Sequence, residues 1–197
     1  MKKSLFFAIA LVAGAMSMKA QTSLDTTQID GIWYILDKAN QTATVTYGPA
    51  TGEAGMWGGI GQDTYSGRLI IPETLNAWDD QLGSFEYTVT AIGDNAFSWC
   101  NNLTGIVIPK TVRTLGLNLL QRTGSVTELK IADGTDPIYF RYEQGDYGEQ
   151  ISFQELAYSC TYLYLGRKMW RYSVRSNGPH LFSTHGAPSR KRLLAQK

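Results

Sequence analysis

Ile92-Gly93-Asp94-Asn95-Ala96-Phe97-Ser98-Trp99-Cys100-Asn101-Asn102-Leu103-Thr104-Gly105-Ile106-Val107-Ile108-Pro109 decides the fold, because its apolar positions recur downstream at one fixed interval. Ile92-Gly93 returns as Leu115-Gly116, Ala96-Phe97 as Leu119-Leu120, Leu103 as Val126, Ile106 as Leu129 and Ile108 as Ile131, each 23 positions on. A period of that length marks a solenoid, whose units cannot bury their own apolar faces and stack on neighbours instead. Ile106 and Ile108 alternate across a short strand and face inward with Leu103, leaving Thr104, Gly105 and Val107 on the other side. Pro109 ends the strand because it has no N–H to donate. The three-residue step from Phe97 to Cys100 reads as one turn of helix, with Asp94 as its cap.

Working outward, Leu69-Ile70-Ile71-Pro72 anticipates Ile106-Val107-Ile108-Pro109 at an offset of 37, and Cys160, Leu163 and Leu165 repeat Val126, Leu129 and Ile131 at an offset of 34. The surplus over 23 places expanded loops near residues 76–87 and 134–150, since insertions in a repeat array fall in loops on one face. Upstream, residues 30–47 read as a hairpin: Ile32–Leu36 is β-branched and aromatic, Asp37–Gln41 is turn-like, and Thr42–Tyr47 alternates with its threonines toward solvent. Residues 48–61 are a glycine-rich loop without the strand-to-helix context of a phosphate cradle.

The first twenty residues carry Lys2 and Lys3, an apolar run from Leu5 to Ala15 and a small residue at Ala20, the order of a secretory signal peptide. The run is shorter than the ~20 residues of a spanning helix. Cleavage after Ala20 is therefore expected, with no transmembrane segment after its removal and a location that is extracellular, at the cell surface or periplasmic. The 43% hydrophobic and 12% aromatic content is that of a folded chain. Its two cysteines, Cys100 and Cys160, both sit at inward repeat positions and read as buried thiols rather than a disulfide framework. The formal charge of +1 hides an asymmetry: residues 21–166 hold all 17 acids and seven bases, whereas residues 167–197 hold eight bases and no acid.

The quoted run resembles the repeat of the BspA-type leucine-rich repeat proteins, an exported bacterial family: Ile-Gly, then Ala-Phe, Cys, Leu and Ile-x-Ile-Pro. The next unit departs from it, with Leu119-Leu120 for Ala-Phe, Thr123 for Cys and Ala132 for Pro. The resemblance implies a curved, cell-exposed solenoid that binds proteins or surfaces, and it supplies no catalytic residues.

The expected architecture is thus α/β: a leucine-rich repeat solenoid, strand-rich with short helical turns, over residues 66–167. An N-terminal β-hairpin cap over 21–65 precedes it, and a basic tail over 168–197, disordered or non-native, follows. The expected function is non-catalytic binding or adhesion, without cofactor or metal, to a protein or cell-surface glycan and not to nucleic acid. The candidate contact residues are the outward strand positions Thr104, Val107, Glu128, Lys130, Tyr162 and Tyr164, of which the tyrosines suit an interface anchor or a carbohydrate-binding platform. An enzyme reading requires a hydrolase carboxylate pair assembled from Asp79-Asp80 and the Asp133–Asp146 loop, because the only histidines, His180 and His185, lie in the tail.

Overall fold

The computed structural model describes residues 26–49, 63–79, 83–145, 148–153, 159–172, 179–181 and 193–194. Among them the chain forms β1 (Thr26–Ile29), β2 (Ile32–Asp37), β3 (Thr42–Thr46), β4 (Ser66–Ile70), β5 (Thr74–Asp79), β6 (Gly83–Ile92), β7 (Asn102–Ile108) and β8 (Thr114–Leu115). There follow β9 (Glu128–Ile131), β10 (Ile138–Gly145), β11 (Gly148–Ile151), β12 (Tyr162–Leu165), β13 (Met169–Tyr172), β14 (Pro179–Leu181) and β15 (Leu193–Leu194). The expected signal peptide lies outside the described residues.

Each turn of the solenoid contributes a strand to two sheets. In the smaller sheet, β4, β7, β9 and β12 run parallel, with β15 antiparallel on β12. Ile106 pairs with Leu129 and Ile108 with Ile131, the register required by the 23-residue period, and all four are fully buried. The larger sheet holds the other strand of each turn, in the parallel series β3, β6, β8, β10 and β13, where Ile92 pairs with Leu115. One continuous core fills the space between, and Phe97 and Cys100 lie in it with Leu103 and Val126.

The expected helical turns do not form: the described residues contain strands and turns, and no helix. Residues 94–99 are turns in which the N–H groups of Asn95, Phe97 and Trp99 donate sideways to the carbonyls of Leu117, Leu119 and Gln121 on the next coil, at 2.9 to 3.1 Å. Asn95 and Trp99 take φ of +57° and +63°, and Asn118 and Arg122, 23 residues on, repeat this at +51° and +58°. Two left-handed residues per coil break any right-handed helix. Asp94 accordingly caps the neighbouring coil, accepting from the Leu117 N–H at 2.8 Å. The Ile-Gly signature has a packing cause, since a Cβ on Gly116 would lie 2.4 Å from the Asp94 nitrogen and 2.6 Å from the Gly93 carbonyl carbon.

The two insertions are hairpins, not loops. β5 pairs antiparallel with the first half of β6, from Thr74 opposite Thr88 to Asp79 opposite Gly83, and β11 pairs in the same way with the end of β10. At the other end, β1, β2 and β3 form an antiparallel meander that extends the larger sheet. Of its threonines, Thr42 and Thr44 are half-buried, and Thr46 is buried with its carbonyl accepting the Tyr65 hydroxyl.

Strand pairing also runs past residue 167. Met169–Tyr172 pair in parallel with Ile138–Arg141, and Met169 packs on the core, so these four residues continue the larger sheet where the sequence places a tail. Arg167, the last residue of the expected solenoid, is buried and donates to the carbonyls of Lys110 at 2.7 Å and Pro109 at 2.9 Å. Burial lowers its affinity for the proton, yet bonding to two main-chain oxygens suits a buried guanidinium.

Candidate functional site

The outer face of the smaller sheet brings five of the six expected contact residues into two rows. Register aligns Arg68, Gly105, Glu128 and Tyr162 in one row and Ile70, Val107, Lys130 and Tyr164 in the next. The two rows are two residues apart along each strand, as side chains on one face must be. Thr104 falls elsewhere. The β4–β7 register shifts between Gly67 and Arg68 and skips it, so it stands upstream with Thr127 and Thr161. There the Thr127 hydroxyl donates to the Thr104 carbonyl at 3.0 Å and the Thr161 hydroxyl to the Thr127 carbonyl at 3.3 Å, giving an exposed threonine ladder.

The first row is held by charge. Arg68 donates from Nε to Glu128 Oε2 at 2.8 Å and from Nη2 to Oε1 at 2.9 Å. These bonds hold the Glu128 carboxyl below the usual carboxylate range, with the charges of Arg68 and Lys130 adding to the effect, and they raise the Arg68 guanidinium in turn. The second row runs from apolar to polar. Ile70 is 60% exposed at one end, whereas at the other Lys130 Nζ lies 6.0 Å from the centroid of the Tyr164 ring. The Tyr164 hydroxyl donates to Asp133 Oδ1 at 2.8 Å, and Lys130, Asp133, Tyr162 and Tyr164 together line an open depression.

Arg68 and Ile70 join this face although they are not among the expected contact residues, and Asp133, expected only as a carboxylate of the enzyme reading, stands beside it. Ile70 was legible, since its alignment with Val107 at an offset of 37 puts it on the same face. Arg68 was hidden by the register shift beside it.

The carboxylates invoked for catalysis are only partly visible. Asp80 and Asp146 lie outside the described residues, Asp133 accepts from Tyr164, and Asp136 pairs with Arg113 at 2.5 Å. Among the described residues no group of three or more His, Cys, Asp or Glu side chains is placed to hold a metal ion. Nor is any helix there long and apolar enough to cross a membrane. Cys100 and Cys160 are not disulfide-bonded; Cys100 is fully buried, Cys160 is half-buried, and burial raises both thiols.

Similarity to known proteins covers part of the chain. Residues 81–160 match the family described as "BspA type Leucine rich repeat region (6 copies)". Among solved structures, a leucine-rich repeat protein from Bacteroides capillosus is similar at 23% identity and a TM-score of 0.38, over 58% of this chain and 70% of that one. A leucine rich cell surface protein from Faecalibacterium prausnitzii is similar at 26% identity and a TM-score of 0.40, over 57% of this chain but 26% of its own length. No curated protein matches the chain.

Proposed function

We propose that this chain, whose residues 81–160 carry the BspA-type leucine-rich repeat, is an exported non-catalytic binding module that contacts a cell-surface partner through the outer face of its smaller sheet. The observation that carries the reading is the register itself. Four successive coils present their outward side chains in two continuous rows, a rigid surface with a tyrosine pair at one end and an exposed isoleucine at the other. Solenoids use such laterally repeated surfaces to bind extended partners. The side chains are mixed rather than uniformly apolar, which suits a non-obligate contact anchored by a few aromatic residues. Export is supported by Lys2-Lys3, the apolar run and Ala20.

The test is a pull-down of the mature chain against extracellular proteins and surface glycans, run beside a Tyr162→Ala/Tyr164→Ala variant whose fold is checked by circular dichroism. Capture by the native chain and its loss in the variant is the expected result. Undiminished capture by the folded variant places the contact elsewhere.

A further inference from the structure

The downstream end of the binding face is concave. Lys130, Asp133, Tyr162 and Tyr164 line an open depression of about 190 Å³. That is below the roughly 300 Å³ at which pockets begin to take whole drug-sized ligands, so the depression fits one ring of a larger molecule.

Its chemistry narrows the class of that ring. Tyr162 and Tyr164 stand two residues apart on β12 and share a face, offering flat apolar area. Tyr164 holds the Lys130 ammonium over its ring and the Asp133 carboxylate at its hydroxyl. Glu128, beside Tyr162 in register, accepts both bonds from Arg68 and also feels the Lys130 charge, so the charged groups that line the depression itself are Lys130 and Asp133. A simple anion such as sulfate satisfies Lys130 but is repelled by Asp133. A cation meets the reverse difficulty, and a neutral sugar leaves Lys130 unanswered. A ring bearing one carboxylate, several hydroxyl donors and an apolar C–H face answers all three features at once.

Resting on the binding-face reading above, we propose that this depression is a subsite for the hexuronate units of an acidic polysaccharide. The carboxylate of the sugar pairs with Lys130, two of its hydroxyls donate to Asp133, and its C–H face lies on Tyr162. A pocket that admits one ring on an open sheet face selects a polymer, whose neighbouring units extend along the two rows.

The experiment is titration calorimetry of the full mature chain with hexagalacturonate. Cellohexaose serves as the neutral counterpart. Dextran sulfate is a polyanion without carboxylates, which reports on the eight bases of residues 167–197. Hexagalacturonate is expected to bind at least about tenfold tighter than cellohexaose, and Lys130→Gln and Asp133→Asn are each expected to weaken it by about tenfold, the scale of one charge-assisted hydrogen bond. Dextran sulfate binding should not weaken in Asp133→Asn. Tyr164→Phe keeps the ring and removes the bond that positions Asp133, so it should weaken hexagalacturonate in a folded background. Equal affinity for the two hexasaccharides, or indifference to Lys130→Gln and Asp133→Asn, overturns the proposal. If the chain captures a partner through Tyr162 and Tyr164 yet does not bind hexagalacturonate, the uronate assignment falls and the binding face stands. If capture ignores both tyrosines, the binding-face reading itself falls.

Discussion

Arg68 on β4 and Glu128 on β9 meet across Gly105 on β7, the guanidinium passing over a residue without a side chain to close a bidentate pair at 2.8 and 2.9 Å. The pair ties three successive coils together on the candidate binding face. It exists because the middle strand offers nothing in the way: a Cβ on Gly105 would stand 3.2 Å from Arg68 Cγ and 3.3 Å from Glu128 Oε2.

Because Glu128 is held below its ordinary range, chiefly by the Arg68 bond, the pair favours the folded state above the unfolded carboxyl value of about 4.3. That contribution is lost as pH falls through the lowered folded value. Denaturant titrations between pH 7 and pH 3 should show a smaller acid loss in Glu128→Gln than in the native chain. Gly105→Ala, which pushes Arg68 aside, should do the same. Arg68 is exposed and Glu128 half-buried at the surface, so added salt should shrink the difference further.

Gly116→Ala is expected to be far more damaging than Gly105→Ala. Its Cβ would meet the Asp94 backbone nitrogen at 2.4 Å, and main chain cannot step aside as the end of an arginine can. The loss should exceed about 3 kcal/mol, the upper end of ordinary overpacking, and is read from urea midpoints or from failure to recover soluble protein.

Asp94 serves two coils at once, accepting from the Leu117 N–H at 2.8 Å and from Arg141 Nη1 at 2.6 Å. Asp94→Ala should cost about 1.5 to 3 kcal/mol, as for hydrogen bonds to a charged group. Arg141→Ala should cost less on its own, and the double variant should fall short of the sum. Additive costs in that cycle would show that the two side chains act independently.

The cysteines provide a probe of the core. Cys100 is fully buried and its thiol is raised by burial, so maleimide at pH 7 should leave it untouched until the chain unfolds. Cys160, half-buried, should react first but more slowly than a free thiol, because its proton is also held more tightly. Mass spectrometry of the partially labelled chain distinguishes the two sites.

The core was legible because Leu103, Ile106 and Ile108 and their counterparts 23 residues on carry a periodicity that only stacking explains. The turns were not, because the spacing of Phe97 and Cys100 fits a helix, and Trp99 and Arg122 give no sign that their φ is positive. The larger sheet was nearly invisible. A strand such as β8 is two residues long, and β5 and β11 pair antiparallel in segments that interrupt the repeat. Thr123 shows how a departure from the motif is compensated: at the position where Cys is expected, its hydroxyl donates to the Phe97 carbonyl at 2.6 Å and accepts from the Cys100 N–H at 3.3 Å. On the proposed binding face, alternation put Val107, Lys130 and Tyr164 outward, whereas Thr104 stands with Thr127 and Thr161 beside the two rows.

Hydroxyl-radical footprinting of the mature chain, with and without a captured partner, asks directly whether the outer face of the smaller sheet makes the contact. Ile70 and Trp78 are both strongly exposed in the free protein, at 60% and 75%, but Ile70 lies on the smaller sheet and Trp78 on the β5–β6 hairpin. The partner is expected to protect Ile70, Val107, Tyr162 and Tyr164 from oxidation and to leave Trp78 as reactive as before. Protection of Trp78 with the two tyrosines unchanged would contradict it.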